Sequence, residues 1–295
     1  MRLATFRHQG RESVGIVEDA WITDLEPIYG QPVTMLSVID LGLEKLLTVA
    51  DSLTGKSQTQ RIPLEQVTLL APIPRPRKNV FCVGRNYADH VKETGTTVIP
   101  EVPVFFTKAA NTVIGPDMAI PKHPVTQQLD YEAELAVVIS RNGCDIAEDT
   151  ALSYVFGYTI VNDVTARDLQ KRHNQWFKGK SLDRACPMGP VIVTADEIGD
   201  PQNLQVKTWV NGELRQAAST GEMLFSVASL ISWLSQGYTL EAGDVIATGT
   251  PAGVGAGYDP GRFLEDGDLV EIEISRIGCL SNRVEAASTA TTRDA

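Results

Sequence analysis

The segment from Asp130 to Ile139 constrains the fold of this chain most strongly, because two acidic residues enter an uninterrupted apolar run. Residues Leu135 to Ile139 have the composition of a buried strand. Glu132 and Glu134 are separated by one residue, and alternate strand residues face the same side, about 6.6 Å apart. Two buried carboxylates repel each other unless a cation neutralises them or their pKa values separate. We therefore expect both glutamates to bind one hard metal ion.

A third acidic residue, Asp163, follows the apolar stretch from Gly157 to Val161, just before a helix expected to begin near Thr165. Taken alone, this segment favours a simpler interpretation, in which Asp163 or Asn162 forms a turn or caps the helix. Together with the two glutamates, it favours a third metal ligand. Three carboxylates leave roughly three octahedral positions for water and substrate, which suits Mg²⁺ or Mn²⁺.

Lys180 is the expected cation beside these acids. It lies in the run Phe177-Lys178-Gly179-Lys180-Ser181, where a glycine and an apolar residue are close by. The alternative is an ordinary exposed surface lysine.

A second polar cluster follows the apolar run from Val80 to Val83. A strand leading into a glycine-containing turn should bring Arg85, Tyr87 and His90 to one end of a sheet. His90 and Glu93 are three residues apart and are neighbours if this segment is helical. A carboxylate beside an imidazole fixes its tautomer and raises its basicity, so the pair could deprotonate water. The alternative is an exposed histidine in an ordinary ion pair.

The charge balance limits the partners that we expect. The formal charge of -11, from 37 acidic and 26 basic residues, disfavours a nucleic-acid or anionic-membrane surface. The amino-terminal residues lack a signal-peptide core, and no apolar run reaches the ~18 residues of a membrane span. We expect a cytoplasmic protein with a small-molecule substrate.

Two common kinds of site are disfavoured by their missing motifs. The four cysteines form no Cys-x-x-Cys pair, which disfavours the usual zinc and thioredoxin-type sites. The glycine-rich run 248–257 lacks the Gly-Lys-Ser/Thr ending of a P-loop, which disfavours a nucleotide phosphate site.

The chain is predicted to be mainly β with interspersed helices, an α+β class, in three parts. Residues 1–70 are expected to form a small β-rich cap domain with a helical segment from Met35 to Val49. Three prolines within residues 72–76 enforce an extended connection. Residues 71–284 then form the main domain, and residues 285–295, which lack apolar periodicity, are expected to be disordered.

Local sequence patterns in the main domain predict a hairpin, a strand and a helix. Asn211-Gly212 between two apolar segments predicts a hairpin with a tight primed turn. Alternation from Val270 to Ile274 predicts a strand with one solvated face. Ser219 and Glu222 form a capping-box pair ahead of an apolar helical stripe that ends near Gly237. The members of that stripe are Leu224, Val227, Ile231 and Leu234.

Five motifs, in order along residues 75–283, resemble the fumarylacetoacetate hydrolase (FAH) family. The resemblance is closest to its acylpyruvase and oxaloacetate decarboxylase branch. Any one of the five would be a weak signal, whereas five in the same order are specific. The motifs are Gly84-Arg85-Asn86-Tyr87-Ala88-Asp89-His90, Asp130-Tyr131-Glu132-Ala133-Glu134, Asn162-Asp163-Val164-Thr165-Ala166-Arg167-Asp168, Gly179-Lys180-Ser181 and Thr248-Gly249-Thr250-Pro251-Ala252-Gly253-Val254-Gly255.

The resemblance implies a mixed β-sandwich roll, a homodimer and an ion, Mg²⁺ or Mn²⁺, bound by Glu132, Glu134 and Asp163. It implies that His90 and Glu93 are a water-activating pair on a mobile lid, and that Lys180 acts in catalysis. It transfers no role to residues 1–70. The residues that it places in the substrate pocket are Arg167, Gln170, Lys180 and Thr250, together with Arg85 and Tyr87 from the first motif.

Such a site would act on a 2-oxo acid through an enolate. We rank hydrolytic carbon–carbon cleavage of an acylpyruvate or related diketo acid first, because His90 and Glu93 are both present. Oxaloacetate decarboxylation and isomerisation of a 2-hydroxymuconate-type diacid are the alternatives. A non-enzymatic binding protein with a structural cation site is least favoured, since it would not require Lys180, Gln170 or a His–Glu pair.

Overall fold

The computed structural model describes residues 1–53, 61–95 and 98–287. Strands dominate, helices are short, and the predicted α+β class is confirmed. The strands in the amino-terminal half are β1 Arg2–His8, β2 Arg11–Glu18, β3 Trp21–Asp24, β4 Arg61–Pro63, β5 Thr68–Leu69, β6 Val80–Gly84, β7 Val104–Lys108, β8 Val113–Ile114, β9 Ile120–Lys122 and β10 Leu129–Asp130. The remaining strands are β11 Ala133–Ile139, β12 Val155–Asn162, β13 Thr165–Ala166, β14 Cys186–Thr194, β15 Gln205–Val210, β16 Glu213–Ser219, β17 Val245–Ala247, β18 Leu269–Ile274 and β19 Gly278–Ala286. The helices are α1 Glu26–Tyr29, α2 Met35–Leu41, α3 Leu43–Leu53, α4 Ala88–Glu93, α5 Arg167–Arg172, α6 Phe177–Lys180, α7 Ala195–Ile198 and α8 Val227–Ser235.

Two large sheets organise the described residues. Twelve strands form the first sheet, with the order β4-β3-β2-β1-β14-β12-β11-β17-β6-β7 and with β5 and β8 attached to β1 and β14. The second sheet has the order β16-β15-β18-β19-β9. Contacts of β11 with β15 and of β12 with β18 show that the two sheets pack face to face.

Strand β11 lies at the centre of the first sheet and is buried on both faces. Leu135 and Val137 point into the core between the two sheets, which also contains Ile272. Ala136 and Val138 point to the opposite face, into a second core with residues from the amino-terminal region. This double burial explains why the sequence is continuously apolar here. Glu132 and Glu134 have the same parity as Ala136 and Val138, so both face the second side.

The amino-terminal segment extends the first sheet, because β1 pairs antiparallel with β14. The sheet is therefore continuous across the predicted boundary at residue 70, and the three-part division stays a prediction. The predicted helix from Met35 to Val49 is two helices, α2 and α3. They are separated by Gly42, whose φ of 87° and ψ of 149° are not helical.

The predicted hairpin and the predicted strand near residue 270 are confirmed as β15–β16 and β18. Asn211 and Gly212 have φ angles of 53° and 77°, as a type I′ turn requires. Strand β19 continues to Ala286, so the first residues of the predicted disordered tail are ordered. Residues 288–295 lie outside the described residues. In the described ranges, no helix combines the length and apolarity that crossing a membrane requires.

The predicted capping box is present, but it caps a different element. Ser219 and Glu222 close a short 3₁₀ turn, and helix α8 begins only at Val227, where the Ser226 side chain accepts the Ser229 N–H. The prediction of a helix from Leu224 was wrong at this end. The reason is that Asn86 accepts the N–H groups of residues 224 and 225, each at 2.8 Å, and holds them outside the helix.

Replacing Ser226 by Ala should therefore destabilise the protein by about 1 kcal/mol, because the first turn of α8 loses its capping acceptor. Ser229→Ala in the same helix is the matched control and should change stability by less than about 0.5 kcal/mol. Urea unfolding at a fixed protein concentration measures both. Equal effects of the two substitutions would contradict the assignment of Ser226 as the cap.

Candidate active site

Three buried carboxylates meet where β11 begins and β12 ends. The antiparallel register pairs Ala133 with Asn162, so Asp163 lies beside Glu132. The Asp163 N–H donates to the Glu132 carbonyl at 2.9 Å, and the Glu132 N–H donates to Asn162 Oδ1 at 3.1 Å. One oxygen each from Glu132, Glu134 and Asp163 lies within 4.8 Å of the others, and all three residues are buried. The spacing and end-of-strand argument from sequence thus leads to one cluster.

Three cations surround the carboxylates. Lys180 Nζ donates to Glu132 Oε2 at 2.5 Å and to Asp163 Oδ2 at 2.7 Å. Arg167 Nη2 lies 2.7 Å from Glu132 Oε1, and Lys108 Nζ lies 2.8 Å from Asp163 Oδ1. Among the residues that the structure describes, none donates an aligned hydrogen bond to Asp163 Oδ1, so a lone pair of this oxygen can accept from another partner. Lys180 is thus a buried residue of the cluster, and the alternative of an exposed surface lysine was wrong.

Glu134 differs from the other two carboxylates in its ion pairing and in the direction of its pKa shift. One of its oxygens accepts the Gly249 N–H at 2.8 Å, but within the described part of the chain it forms no ion pair. Burial raises the pKa of Glu134 well above its ordinary value, and the neighbouring Asp163 and Glu132 carboxylates raise it further. Burial also opposes ionisation of Glu132, but Lys180 and Arg167 outweigh it and lower the pKa of that carboxyl.

The donor set fits a divalent cation. Glu132, Glu134, Asp163 and the adjacent buried Asp130 carry four formal negative charges, against three positive charges on Lys108, Arg167 and Lys180. A hard cation beside Glu134 would offset the repulsion that raises its pKa, and oxygen ligands are those that Mg²⁺ and Mn²⁺ prefer. Addition of two positive charges would change the formal balance of this group from -1 to +1, which favours an anionic substrate.

His90 and Glu93 lie on α4, and their side chains are in contact as the three-residue spacing predicts. His90 Nδ1 and Glu93 Oε1 are 2.7 Å apart, and both side chains are largely buried. The second carboxylate oxygen of Glu93 accepts the Gly253 N–H at 2.8 Å. The alternative of an exposed histidine was wrong, because His90 is 6 % exposed.

A cavity of about 390 Å³ brings the two clusters together. Most of the site residues expected from sequence line it, whereas Asp163 lies behind the lining and is fully buried. Tyr87 is not in the lining. It is buried and pairs through its backbone with Met223, so its substrate role stays a prediction without support from the cavity. The expected residues in the lining are Arg85, His90, Glu93, Glu132, Glu134, Arg167, Gln170, Lys180 and Thr250.

Arg85 has a φ of 59°, an unusual conformation for a residue with a side chain. Its guanidinium lies 5.9 Å from the centre of the Trp176 ring, and that ring makes an edge contact with Phe106 at 5.3 Å. These two aromatic residues form one wall of the cavity. The unusual backbone thus occurs at a residue that lines the cavity.

Several residues of the site were missed from sequence. Lys108 ends β7 and is completely buried, with hydrogen bonds to the carbonyls of Val164 and Lys180. Its only sequence signal is a lysine closing an apolar strand. Trp176 and Phe106 offered no periodic signal, since their contact depends on long-range packing. Asp130 was visible as part of a motif, but no role could be assigned to it.

Comparison with known proteins agrees with this architecture. A family model described as "Fumarylacetoacetate (FAA) hydrolase C-terminal" matches residues 79–285. The chain belongs to the fumarylacetoacetate hydrolase family. A second model, "Rv2993c-like, N-terminal", matches residues 1–72. The predicted family is thus confirmed, and the chain is an enzyme-family member with the FAH fold.

Similar proteins within the FAH family have several activities in their names. Oxaloacetate tautomerase YisK of Bacillus subtilis is 56% identical over 223 residues, which cover 75% of this chain and 74% of that protein. The structure of a fumarylacetoacetate hydrolase from Exiguobacterium antarcticum has a TM-score of 0.84 at 46% identity, covering 97% of this chain and all of the other. Maleylpyruvate hydrolase from Sphingobium sp. SYK-6, solved with manganese(II) and pyruvate, has a TM-score of 0.82 at 31% identity, covering 98% and 100% of the chains. The reaction type differs among these relatives, and the homodimer and cytoplasmic location stay predictions.

Replacing Glu134 by Gln should have opposite effects in the presence and absence of metal. The amide can still accept the Gly249 N–H, and the substitution removes the free-energy cost of burying an acid whose ionisation the neighbouring carboxylates oppose. In EDTA we expect Tm to rise by about 2–4 °C, which corresponds to about 1 kcal/mol for a chain of this size. With Mn²⁺ we expect the ligand-induced rise in Tm to be lost.

Glu273→Gln, on the exposed side of β18, is the control for this substitution. It should change neither Tm in EDTA nor the response to Mn²⁺. Thermal unfolding with and without Mn²⁺ distinguishes the outcomes. A Glu134→Gln protein that keeps the full Mn²⁺ response would contradict the assignment of Glu134 as a ligand.

Proposed function

We propose that this protein is a divalent-metal-dependent enzyme that interconverts the keto and enol forms of oxaloacetate. The observation that carries the proposal is that one cavity is lined both by two glutamates of the three-carboxylate cluster and by the His90–Glu93 pair. The first group suits binding of a 2-oxo acid, and the second suits proton transfer. The choice of oxaloacetate is supported by the name of the Bacillus subtilis relative.

Binding of the 2-oxo acid head group is assigned to residues beside the carboxylates. Lys180 and Arg167 carry buried positive charges, and Gln170 Oε1 accepts a hydrogen bond from Arg167 Nη1 at 3.2 Å. Because Oε1 faces Arg167, the Gln170 amide N–H groups can donate towards the cavity that Gln170 lines. The three side chains can therefore bind and orient the carboxylate and the 2-oxo oxygen of the substrate.

Proton transfer is assigned to His90. A divalent ion held by Glu132, Glu134 and Asp163 would supply Lewis-acid stabilisation for negative charge developing on the 2-oxo oxygen. Glu93 faces Nδ1 of His90, so Nε2 is the nitrogen that can take a proton from C3 of the keto form or return one to the enol. Lys180 can donate a hydrogen bond to the enolate oxygen at C2. That oxygen takes up a proton from water to form the enol and returns it to water in the reverse direction, and His90 exchanges the C3 proton with water, so both directions balance.

Hydrolytic carbon–carbon cleavage is the second candidate. The same His90–Glu93 pair can activate water, and the Sphingobium relative is named a maleylpyruvate hydrolase. The two reactions need the same head-group contacts but differ in what His90 deprotonates. We place tautomerisation first because proton transfer at C3 needs no attacking water, and because the relative with that name is the more similar one.

The proposal predicts that the protein with Mg²⁺ or Mn²⁺ accelerates the loss of enol-oxaloacetate absorbance above the rate with metal alone. His90→Ala should lower this rate by about 10²-fold or more, because a general base or acid is removed. It should leave Mn²⁺ affinity within threefold of wild type, since His90 is not among the expected ligands. Stopped-flow absorbance and calorimetric Mn²⁺ titration measure the two quantities.

His173→Ala is the control, because His173 is exposed and does not line the cavity. Acetylpyruvate and fumarylpyruvate assayed in parallel test hydrolysis, and pyruvate release from oxaloacetate tests decarboxylation. A protein that cleaves an acylpyruvate but does not accelerate oxaloacetate tautomerisation would favour the second candidate. Unchanged activity in a folded His90→Ala variant would contradict the role of His90.

A further inference from the structure

Asp130 is a buried carboxylate that the proposed chemistry does not use. It is completely buried and accepts four hydrogen bonds. Its Oδ1 accepts the N–H groups of Tyr131 at 2.9 Å and Gly255 at 2.7 Å. Its Oδ2 accepts the Ala256 N–H at 2.9 Å and Arg167 Nε at 2.8 Å. Asp130 therefore connects the substrate-facing arginine to the glycine-rich loop.

That loop, residues 253–257, holds the side chain of Glu93. The Gly253 N–H donates to Glu93 Oε2 at 2.8 Å, and the Gly253 carbonyl accepts the Tyr131 hydroxyl at 2.8 Å. At Gly257 a Cβ atom would lie 2.2 Å from Glu93 Oε2 and 2.8 Å from its Cδ. The carboxylate thus lies directly against Gly257, and only the absence of a side chain there leaves room for it.

The loop has little freedom to move away from this position. A Cβ at Gly255 would lie 2.4 Å from the Arg262 carbonyl and 2.7 Å from Asp130 Oδ1. A Cβ at Gly253 would lie 2.0 Å from the Arg215 carbonyl. Close backbone approach on two sides, with anchors from Asp130 and Tyr131, fixes the loop relative to β10 and β11.

We propose that loop 253–257, anchored by Asp130 and Tyr131, is a positioning element that holds Glu93, and through it His90, at a fixed place relative to Arg167. Asp130 and Tyr131 are then positioning residues, since neither lines the cavity. This inference rests on the proposed proton transfer by His90. Its physical basis is that a misplacement of about 1 Å of a catalytic group can cost about 10²-fold in rate.

Gly257→Ala tests the contact with Glu93 most directly. Gly257 lies in a 3₁₀ turn and is not among the glycines with positive φ, so alanine suits its backbone. The three atoms nearest to an added Cβ all belong to the side chain of Glu93. We expect kcat for enol-oxaloacetate to fall by about 10- to 10²-fold, with KM and Mn²⁺ affinity within threefold. In a Glu93→Ala background, where no carboxylate can clash, the same substitution should change kcat by less than twofold.

Asp130→Asn and Tyr131→Phe test the anchors. An asparagine can accept at only one of its two side-chain atoms, so either the hydrogen bonds from Ala256 and Arg167 or those from Tyr131 and Gly255 are lost. In both orientations the loop loses one of its two N–H anchors. We expect kcat to fall by about tenfold or more in Asp130→Asn and by a smaller factor in Tyr131→Phe. If Asp130→Asn does not fold, Tyr131→Phe, which removes only a hydroxyl, carries this part of the test.

A readout without turnover separates this inference from the proposed function. The chain has four histidines, so ¹⁵N signals of the imidazoles can be followed individually. In Gly257→Ala the His90 signals should change to those of Glu93→Ala, with the other three histidines unchanged. Unchanged His90 signals would overturn the positioning role. It would also be overturned if Gly257→Ala lowered kcat as strongly in the Glu93→Ala background as in the wild-type protein. A wild-type protein that is inactive on oxaloacetate would instead refute the proposed function, and the imidazole signals would still test the loop.

Discussion

The repulsion among three buried carboxylates is the constraint on which the rest of this structure depends. Glu132, Glu134 and Asp163 are brought together by backbone pairing of β11 with β12, which the hydrophobic core on both faces of the sheet stabilises. Their charges must then be balanced inside the protein, because buried carboxylates are otherwise costly. Lys180 pairs with both Glu132 and Asp163, and Lys108 pairs with Asp163. Glu134 forms no ion pair among the described residues and leaves a position that suits a divalent ion.

The site extends from this cluster through a series of paired charged side chains. Arg167 pairs with Glu132, Asp130 fixes Arg167, and the same Asp130 anchors the loop that holds Glu93. The carboxylate cluster and the His–Glu pair therefore belong to one connected network, although they come from distant parts of the sequence. This connection is the physical basis for the proposed positioning role of Asp130, which lies outside the cavity.

The sequence predicted the elements whose signals are local. The alternation of Glu132 and Glu134 and the three-residue spacing of His90 and Glu93 each follow from the periodicity of a single element, and both pairs are found as expected. The residues that were missed depend on long-range contacts. Lys108 reaches Asp163 from another strand, and Gly257 contacts Glu93 across more than 160 positions. The same limit explains the misplaced start of α8, which Asn86 determines from outside the helix.

The central claim is that the carboxylate cluster holds a divalent ion that is open to a 2-oxo acid. Oxalate resembles the enolate form of a 2-oxo acid head group, so its binding tests the claim without requiring turnover. Calorimetric titration of oxalate should show binding at least about 10²-fold tighter with Mg²⁺ than in EDTA, a difference of about 2.7 kcal/mol. Equal affinity in the presence and absence of metal would contradict the account.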